Sequence, residues 1–291
     1  MSLPFNFQED PSPVAVLESV PNRTALKRVF QEIDGLSIPD PNLDFEDFVA
    51  DHNPVEIRQL VSEIQFAHQN QIYYYRVPGL GQVSFEEPNR EPKQTTTGMV
   101  GAETIWVTHE HDRTYIGCSV PEESGQQQLG WAEDARETVI TVVKPECSIL
   151  AIRASDAGAA ADARRAIVDE AGTEFGEELP ATILETEFAA RAIEKYRQVG
   201  FTSMAATSPI ADLTISTDYT GEVNHDLLDD EVVESLESHS DIQLDRARVD
   251  LSPVAGETVT VSYSDSSIEF HRFVPESWLL AVDDAIAAAV Q

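Results

Sequence analysis

Residues 137–171 read ETVITVVKPECSILAIRASDAGAAADARRAIVDEA and hold the clearest structural signal in the chain. β-Branched residues fill 139–143, a Pro-containing turn follows, and a second apolar run covers 149–154. Ser155 or Asp156 can cap a helix that begins directly afterwards. Small and apolar residues then recur at helical spacing: Ala159, Ala163, Ala166 and Ile167. The pattern predicts a strand, a turn, a second strand and a capped helix.

The same order of elements returns at the C-terminus. Residues 257–261 and 267–272 alternate as strands around a Ser-Asp-Ser turn, and a helical pattern covers 275–290. Aligning Arg153 with Arg272 also aligns Ser148 with Ser267, and two apolar positions of the helices coincide as well. The match leaves open an internal duplication, in which each copy is a strand meander followed by a helix across one face. Chance convergence is the alternative, because hairpin-then-helix is a common order.

The N-terminal part of the chain predicts helices. Residues 1–21 are Pro-rich and predict an irregular arm. Three helical segments follow: one capped by Asn22, one over 43–50, and one capped by Asn53 with Pro54 at its first position. A predicted strand over 72–77 and a return strand over 83–85 complete the segment.

Three helices followed by a hairpin resemble a winged helix-turn-helix domain, and the resemblance covers residues 22–87. It implies that residues 54–69 form a recognition helix and that residues 71–85 form the wing. The resemblance rests on the order of the elements, because the segment contains no fingerprint motif.

The remainder of the chain predicts an α+β fold rich in antiparallel strands. Residues 103–200 and 201–291 are expected to form two sheet-plus-helix units, after a linker at 86–102. Further strands are predicted over 103–109, 114–120, 211–219 and 242–251, and further helices over 186–199 and 226–238. The pattern leaves open whether the two units form one sheet or two.

The composition is strongly acidic, with 52 Asp and Glu against 19 Lys and Arg and a net charge of −33. The acid is spread along the chain, and only four of the basic residues are Lys. Such a composition is typical of proteins from halophilic archaea, where molar salt screens carboxylate repulsion. An acidic mesophilic protein and an acidic disordered chain are the alternatives. Disorder is disfavoured because 42% of the residues are hydrophobic and they recur periodically.

A cytoplasmic location is the expectation from the sequence. Cys118 and Cys147 lie in or beside predicted strands and suit buried positions in a reducing compartment. The first ten residues lack the basic and apolar stretches of a signal peptide, and no apolar segment approaches the ~20 residues that span a membrane.

Basic and aromatic residues are the candidate contacts to a macromolecule: Arg58, Tyr73, Tyr75, Arg76, Arg246 and Arg248. The winged-helix resemblance implies DNA binding, but the predicted recognition helix has one Arg against Glu56 and Glu63, which is poor for a phosphate backbone. Successive residues of a strand face opposite sides, so at least one of the tyrosines at 73–75 is expected to be exposed. Core packing of these tyrosines is the interpretation that the frequent use of Tyr in strand cores favours.

Two other groups of residues suggest small-ligand chemistry. His109, His111 and Asp112 form the one local cluster of metal-ligand types, and positions 109 and 111 of a strand share a face. No HExxH motif or further ligand motif completes this cluster. Arg153 and Arg272 are a candidate anion clamp, or else two arginines paired with nearby carboxylates.

The leading hypothesis from the sequence is a non-catalytic adaptor or regulatory protein of a halophilic archaeon or its virus. It would bind a protein partner and need no cofactor, because no nucleotide-binding or hydrolase motif is present. Nucleic acid is disfavoured by the charge. The alternatives are a DNA-binding winged-helix transcriptional regulator and a metal-dependent enzyme using His109 and His111.

Overall fold

The computed structural model describes residues 12–20, 23–31, 33, 36, 44–67, 71–77, 80, 85, 102–110, 113–121, 136–144, 148–175, 182–183, 201–210, 213–220, 243–250, 258–262 and 265–290. These residues form helices and one antiparallel sheet. The helices are α1 (Pro13–Ser19), α2 (Arg23–Gln31), α3 (Phe45–Asp51), α4 (Pro54–Gln65), α5 (Ala157–Phe175) and α6 (Glu276–Val290). The first five strands are β1 (Gln71–Arg76), β2 (Glu103–Glu110), β3 (Arg113–Pro121), β4 (Arg136–Lys144) and β5 (Ile149–Arg153). The others are β6 (Thr182–Ile183), β7 (Phe201–Ile210), β8 (Leu213–Thr220), β9 (Gln243–Asp250), β10 (Thr258–Ser262) and β11 (Ser267–Phe270).

The strands follow the order β2-β3-β4-β5-β1-β11-β10-β9-β7-β8, and β6 pairs with one end of β1. All of these pairings are antiparallel. The strands of the predicted first unit and those of the second therefore belong to one sheet. Seven strands have described side chains, whereas β6 to β9 are described by their backbone alone. The predicted helices at 186–199 and 226–238 lie outside the described residues.

Strand β1 joins the two halves of the sheet. Ile72 lies opposite Arg153 of β5 on one side and opposite Ile268 of β11 on the other. The amide of Tyr74 donates to the carbonyl of Ser266 at 2.9 Å, and the amide of Val77 donates to that of Ser148 at 2.8 Å. Both edges of β1 are thus paired with strands that follow it in sequence by many residues. The winged-helix resemblance implied instead a strand paired with its own return strand in an exposed wing.

Helices cover both faces of the sheet, which differs from the single helical face expected from the sequence. Helices α1 to α4 and α6 pack on the face that contains Tyr74, Ile140 and Phe270. Helix α5 packs on the opposite face, which contains Tyr73 and Ile152. Successive residues of the strands are therefore buried on opposite sides of the sheet.

The N-terminal arm predicted over 1–21 contains helix α1. Pro13 occupies one of the first helical positions, where its missing amide hydrogen costs nothing, and Val16 and Leu17 are buried in the core. The Pro-rich sequence predicts irregular structure, whereas Pro13 lies at the start of a short helix.

The predicted cap at Asn53 is confirmed, whereas the predicted cap at Asn22 lies outside the described residues. The Asn53 side chain accepts a hydrogen bond from the amide of Val55 at 2.9 Å and begins α4. Asp44 accepts from the amides of Glu46 and Asp47 and begins α3 in the same way. Leu26, Val29 and Phe30 of α2 are buried at helical spacing, and so is Ile33 just beyond the end of the helix.

The hairpins β4–β5 and β10–β11 share one geometry. In each, a serine with positive φ directly precedes the second strand, Ser148 at 56° and Ser266 at 47°. Equivalent backbone positions thus match Ser148 with Ser266, and not with Ser267 as in the sequence alignment. By this register Arg153 corresponds to His271 and not to Arg272.

Strand β3 contains Gly117, and the lack of a side chain there leaves room for Trp106 of β2. Trp106 of β2 lies opposite Gly117, and a Cβ atom added at Gly117 would come within 2.1 Å of the indole ring. The indole also packs near Phe66, with ring centroids 6.0 Å apart. The absence of a side chain at position 117 therefore lets the tryptophan ring lie flat against the sheet.

No helix within the described parts of the chain combines the length and apolar character that crossing a membrane requires.

Candidate functional site

The most concentrated polar chemistry among the described side chains surrounds Arg153, the last residue of β5. This arginine is fully buried, with 0% of its surface exposed. Its guanidinium donates two hydrogen bonds to the carboxylate of Glu276, one of them at 2.9 Å to Oε1. It also donates from Nη1 to the backbone carbonyl of Phe66 at 2.7 Å, just beyond α4. One side chain thus ties the sheet to both α4 and α6.

Two acidic residues of α6 face this arginine. Glu276 and Asp283 are spaced by two helical turns and lie on the same buried stripe as Leu279 and Ile286. The Asp283 carboxylate lies 3.6 Å from Nη2 of Arg153. An acidic side chain on the core stripe of a helix is costly unless it is paired, and the arginine offsets that cost.

Two tyrosines from the sheet complete the cluster. The Tyr115 hydroxyl donates to Oε1 of Glu276 at 3.0 Å, and the Tyr74 hydroxyl donates to Oδ1 of Asp283 at 2.7 Å. We call Arg153, Glu276, Asp283, Tyr74 and Tyr115 the buried arginine cluster. Its members come from β1, β3, β5 and α6, so the cluster depends on the assembled fold.

The surroundings change the proton affinities of the cluster. Burial alone would lower the pKa of Arg153, but the charges of Glu276 and Asp283 raise it above the ordinary value, so the guanidinium stays charged. Burial and the Glu276 carboxylate raise the pKa of Tyr115, which stays protonated as a donor. Burial raises the pKa of Asp283 from 3.8 to about 6, against the opposing charge of Arg153. Asp283 therefore holds its proton to a higher pH than an exposed aspartate does.

A second ion-pair group lies at the edge of the cluster. Asp284 of α6 contacts both Arg113 of β3 and Lys144 of β4, and half of its side-chain surface is exposed. Burial would raise the pKa of Asp284, but the hydrogen bond from Lys144 and the charge of Arg113 lower it below its usual value. Adjacent carboxyls of one helix thus shift in opposite directions, because one is buried and the other is paired at the surface.

The geometry of the buried arginine cluster fits a structural role. The guanidinium has no exposed surface, and its two terminal nitrogens are engaged by Glu276 and Phe66. A bound anion would have to displace a carboxylate of the same chain. The cluster therefore attaches α6 and the end of α4 to the sheet.

The two arginines of the candidate anion clamp lie in different environments. Arg153 is buried beneath α6, whereas Arg272 is exposed in the bend after β11. The partners of Arg153 are residues that the sequence analysis did not single out. Their signal in the sequence is the apolar helix ESWLLAVDDAIAAAV, in which Glu276 and Asp283 fall on the same stripe as Leu279 and Ile286.

His109 is the one described member of the candidate metal cluster. Its Nδ1 lies 3.0 Å from the hydroxyl of Thr114, and its Nε2 lies 3.1 Å from the carbonyl of Phe85. Both ring nitrogens thus contact protein atoms, and a metal would have to replace one of these contacts. His111 and Asp112 lie outside the described residues. No group of three or more His, Cys, Asp or Glu side chains is arranged to hold a metal ion in the portion of the chain that the structure describes.

The other candidate contact residues divide into buried and exposed groups. Tyr73 and Tyr75 are buried, and so is Tyr74, so the expectation that one of the three is exposed is wrong. Helices on both faces of the sheet are the physical reason. Arg76 at the end of β1 is exposed, and the guanidinium of Arg164 lies 5.0 Å above the Tyr75 ring.

Arg246 and Arg248 belong to β9, of which the backbone is described. Arg246 pairs in register with Ser262, and Arg248 pairs with Thr260. The two residues are two positions apart on one strand, which places them on the same face of the sheet.

Helix α4 presents a defined outer stripe. Ile57, Leu60 and Ile64 are buried, which leaves the opposite side of the helix facing outward. That side carries residues at i, i+3, i+4 and i+7: Val55, Arg58, Gln59 and Ser62. Val55 is 60% exposed and is the one large hydrophobic residue that is exposed among the described residues. Arg58 is also exposed, and its Nε donates to the carbonyl of Pro54 at 3.3 Å, which holds the side chain along the helix.

Comparison of the sequence with known protein families gave no matching family, and comparison with curated proteins gave no match.

Proposed function

We propose that this protein is a non-catalytic adaptor or regulatory protein that binds another protein through the outer stripe of α4. The observation that carries the proposal is Val55, an aliphatic side chain left 60% exposed on a helix whose other face is buried. Apolar groups that stay in water on a rigid element become favourable contacts when a partner covers them. Arg58 and Gln59 lie beside Val55 and supply hydrogen-bond donors around it.

The stripe is held rigidly, which supports its use as a contact surface. Asn53 caps α4, and the helix packs on the core through Leu60 and Ile64. The Glu63 side chain accepts a hydrogen bond from the amide of Ser277 at 2.8 Å and joins α4 to the start of α6. A surface fixed in this way loses little conformational entropy on binding.

The source that we propose is a halophilic archaeon or its virus, and the proposed location is the cytoplasm. The support is the net charge of −33 together with the evenly spread carboxylates. In molar salt, charge attraction between partners is screened beyond about 3 Å, so apolar contacts such as that of Val55 gain relative importance.

We further propose that the sheet contains two related units arranged about β1. Two observations support this proposal. Strands β5 and β11 lie on either side of β1, and both run antiparallel to it. Helices α5 and α6 lie on opposite faces of the sheet. A twofold axis along β1 would produce that arrangement. The winged-helix-like grouping of α2, α3 and α4 would then be an addition that covers one face and presents the α4 stripe.

Binding by the α4 stripe predicts a specific loss in a Val55→Glu variant. Affinity purification from a lysate of the source organism in molar KCl, with nuclease treatment, should recover a partner with the unaltered protein. The variant should recover at least about tenfold less, because a charge replaces the apolar contact. Ala157→Glu, at the exposed start of α5 on the opposite face of the sheet, is the matched control and should recover the partner normally. Equal recovery by Val55→Glu would contradict the proposal.

DNA binding is the second candidate function, and the exposure of Arg58 and Arg76 favours it. The same affinity purification separates the two functions. If the protein binds DNA, DNA fragments should be recovered without nuclease, and the partners should be lost after nuclease treatment. Duplex binding should then disappear in an Arg58→Glu, Arg76→Glu variant, since each reversal replaces a phosphate contact with repulsion. A partner that survives nuclease treatment and ignores this double reversal supports the protein-binding function.

A further inference from the structure

The two carboxyls that face Arg153, those of Glu276 and Asp283, do not receive the same number of hydrogen bonds. Glu276 receives hydrogen bonds from both terminal nitrogens of the guanidinium and one from Tyr115. Asp283 receives one hydrogen bond at Oδ1 from Tyr74, and its buried Oδ2 has no hydrogen-bond donor among the described residues. A buried carboxylate oxygen without a donor favours the protonated form of the acid.

The charges around Asp283 also favour its protonated form. The nearest cation, Arg153, already forms two hydrogen bonds with Glu276, and its Nη2 stays 3.6 Å from Oδ2 of Asp283. If both acids were ionised, one guanidinium would face two negative charges in the core. The titratable or charged groups that face Asp283 from neighbouring elements are Glu276 on α6, Arg153 on β5, Tyr74 on β1 and Arg113 on β3. Arg113 is itself engaged by Asp284.

We propose that Asp283 is the proton-binding residue of a pH-sensitive contact that holds α6 against the sheet. When the carboxyl is neutral it lies beside the Arg153–Glu276 pair without excess charge, and α6 packs tightly. When it loses its proton, the second negative charge weakens the attachment of the helix. The contact is therefore stronger in mildly acidic conditions than at neutral pH.

The sign and the pH range follow from linkage. Burial raises the pKa of Asp283 from 3.8 to about 6 in the folded chain. The folded form thus holds the proton more tightly than an opened form in which Asp283 meets water. The resulting stabilisation is present at low pH, falls as the pH rises between about 4 and 6, and is absent above that range.

Amide hydrogen exchange of α6 measures this attachment directly. After correction for intrinsic exchange rates, the protection of α6 amides in molar KCl should be about tenfold greater at pH 5 than at pH 7. In an Asp283→Asn variant the amide oxygen can still accept from Tyr74 and the side chain stays neutral. Its protection should therefore not change between pH 5 and pH 7, and should be at least as great as that of the unaltered protein at pH 5.

Asp284→Asn is the matched control on the next residue of the helix. Asp284 is half exposed and its pKa is lowered, so the tenfold step between pH 5 and pH 7 should persist in this variant. An Asp283→Asn protein that keeps the full step would overturn the proposal. If that variant does not fold, carbon-13 NMR titration of the Asp283 carboxyl in the unaltered protein decides. A midpoint above about 5 supports the proposal, and a lower midpoint rejects it.

Discussion

Replacing Arg153 with Met should lower the free energy of unfolding by about 3–5 kcal/mol, measured by chemical denaturation at pH 7 in molar KCl. The reason is that Glu276 would lose the guanidinium that hydrogen-bonds it, and Asp283 would lose the positive charge that faces it, while both stay buried. Arg165→Met is the matched control, because the Arg165 side chain is 67% exposed and pairs with Asp162 one turn away. The control should change stability by less than about 0.5 kcal/mol.

A double-mutant cycle with Glu276→Gln identifies the cause of the loss. Each single change leaves a buried charge without its partner, whereas the double change removes both charges of the pair. The double variant should therefore be more stable than the sum of the two losses implies, by about 1–3 kcal/mol. Two results would show that the buried arginine cluster does not hold α6 to the sheet. One is that the two losses are additive. The other is that the free energy of unfolding of Arg153→Met lies within about 1 kcal/mol of that of the unaltered protein.

Lowering KCl from molar concentration to about 0.1 M should unfold the protein, seen as loss of its circular dichroism signal. With 52 acidic and 19 basic residues, carboxylate repulsion acts across the whole surface. The Debye length grows from about 3 Å to about 10 Å over this dilution, so repulsion that salt had screened reaches neighbouring charges. Restoring the ionic strength should restore the fold.

Charge reversal at exposed carboxylates tests the electrostatic origin of this salt requirement. Asp51 on α3 and Glu269 on β11 are exposed, so changing both to Lys should move the unfolding midpoint to lower KCl with little effect on packing. A circular dichroism spectrum that stays constant through the dilution would rule out the proposed halophilic origin. A midpoint that does not respond to the reversal would assign the salt effect to something other than net charge.

Local patterns in the sequence predicted the individual elements well. The spacing of apolar residues predicts α2, and the Asn53-Pro54 pair predicts the start of α4. Both signals lie within a few residues of the element they predict, and the structure contains both elements. The strand–turn–strand–helix order of residues 137–171 is confirmed by β4, β5 and α5. Strand β7, Phe201–Ile210, was not predicted, because its Ser- and Ala-rich sequence lacks a clear apolar alternation.

The arrangement of the elements was not predictable from local patterns. β1 pairs with β5 and β11, which lie far along the chain, and nothing within residues 71–76 specifies those partners. The three tyrosines were consistent with a half-exposed wing strand and also with a strand buried on both faces. Only the presence of helices on both faces decides that Tyr73, Tyr74 and Tyr75 are all buried.

The candidate site shows the same limit. Arg153 was singled out from the sequence, but its alignment with Arg272 suggested a clamp for an external anion. The actual partners, Glu276 and Asp283, lie more than 120 positions away and meet Arg153 only after α6 docks on the sheet. The signal in the sequence was the presence of acidic residues on an otherwise apolar stripe of a helix. Such residues predict that a cation from elsewhere in the chain is buried beside them.

Strand β1 is an interior strand that joins both halves of the sheet, and amide exchange of β1 in the intact protein tests this placement most directly. The amide of Tyr74 is bonded to Ser266 on the β11 side, and the register with β5 pairs the other edge. We expect the amides of residues 72–76 to be among the slowest to exchange in the protein, close to the limit set by global unfolding. Fast exchange of alternate amides in this strand, as in an exposed two-stranded wing, would contradict the claim.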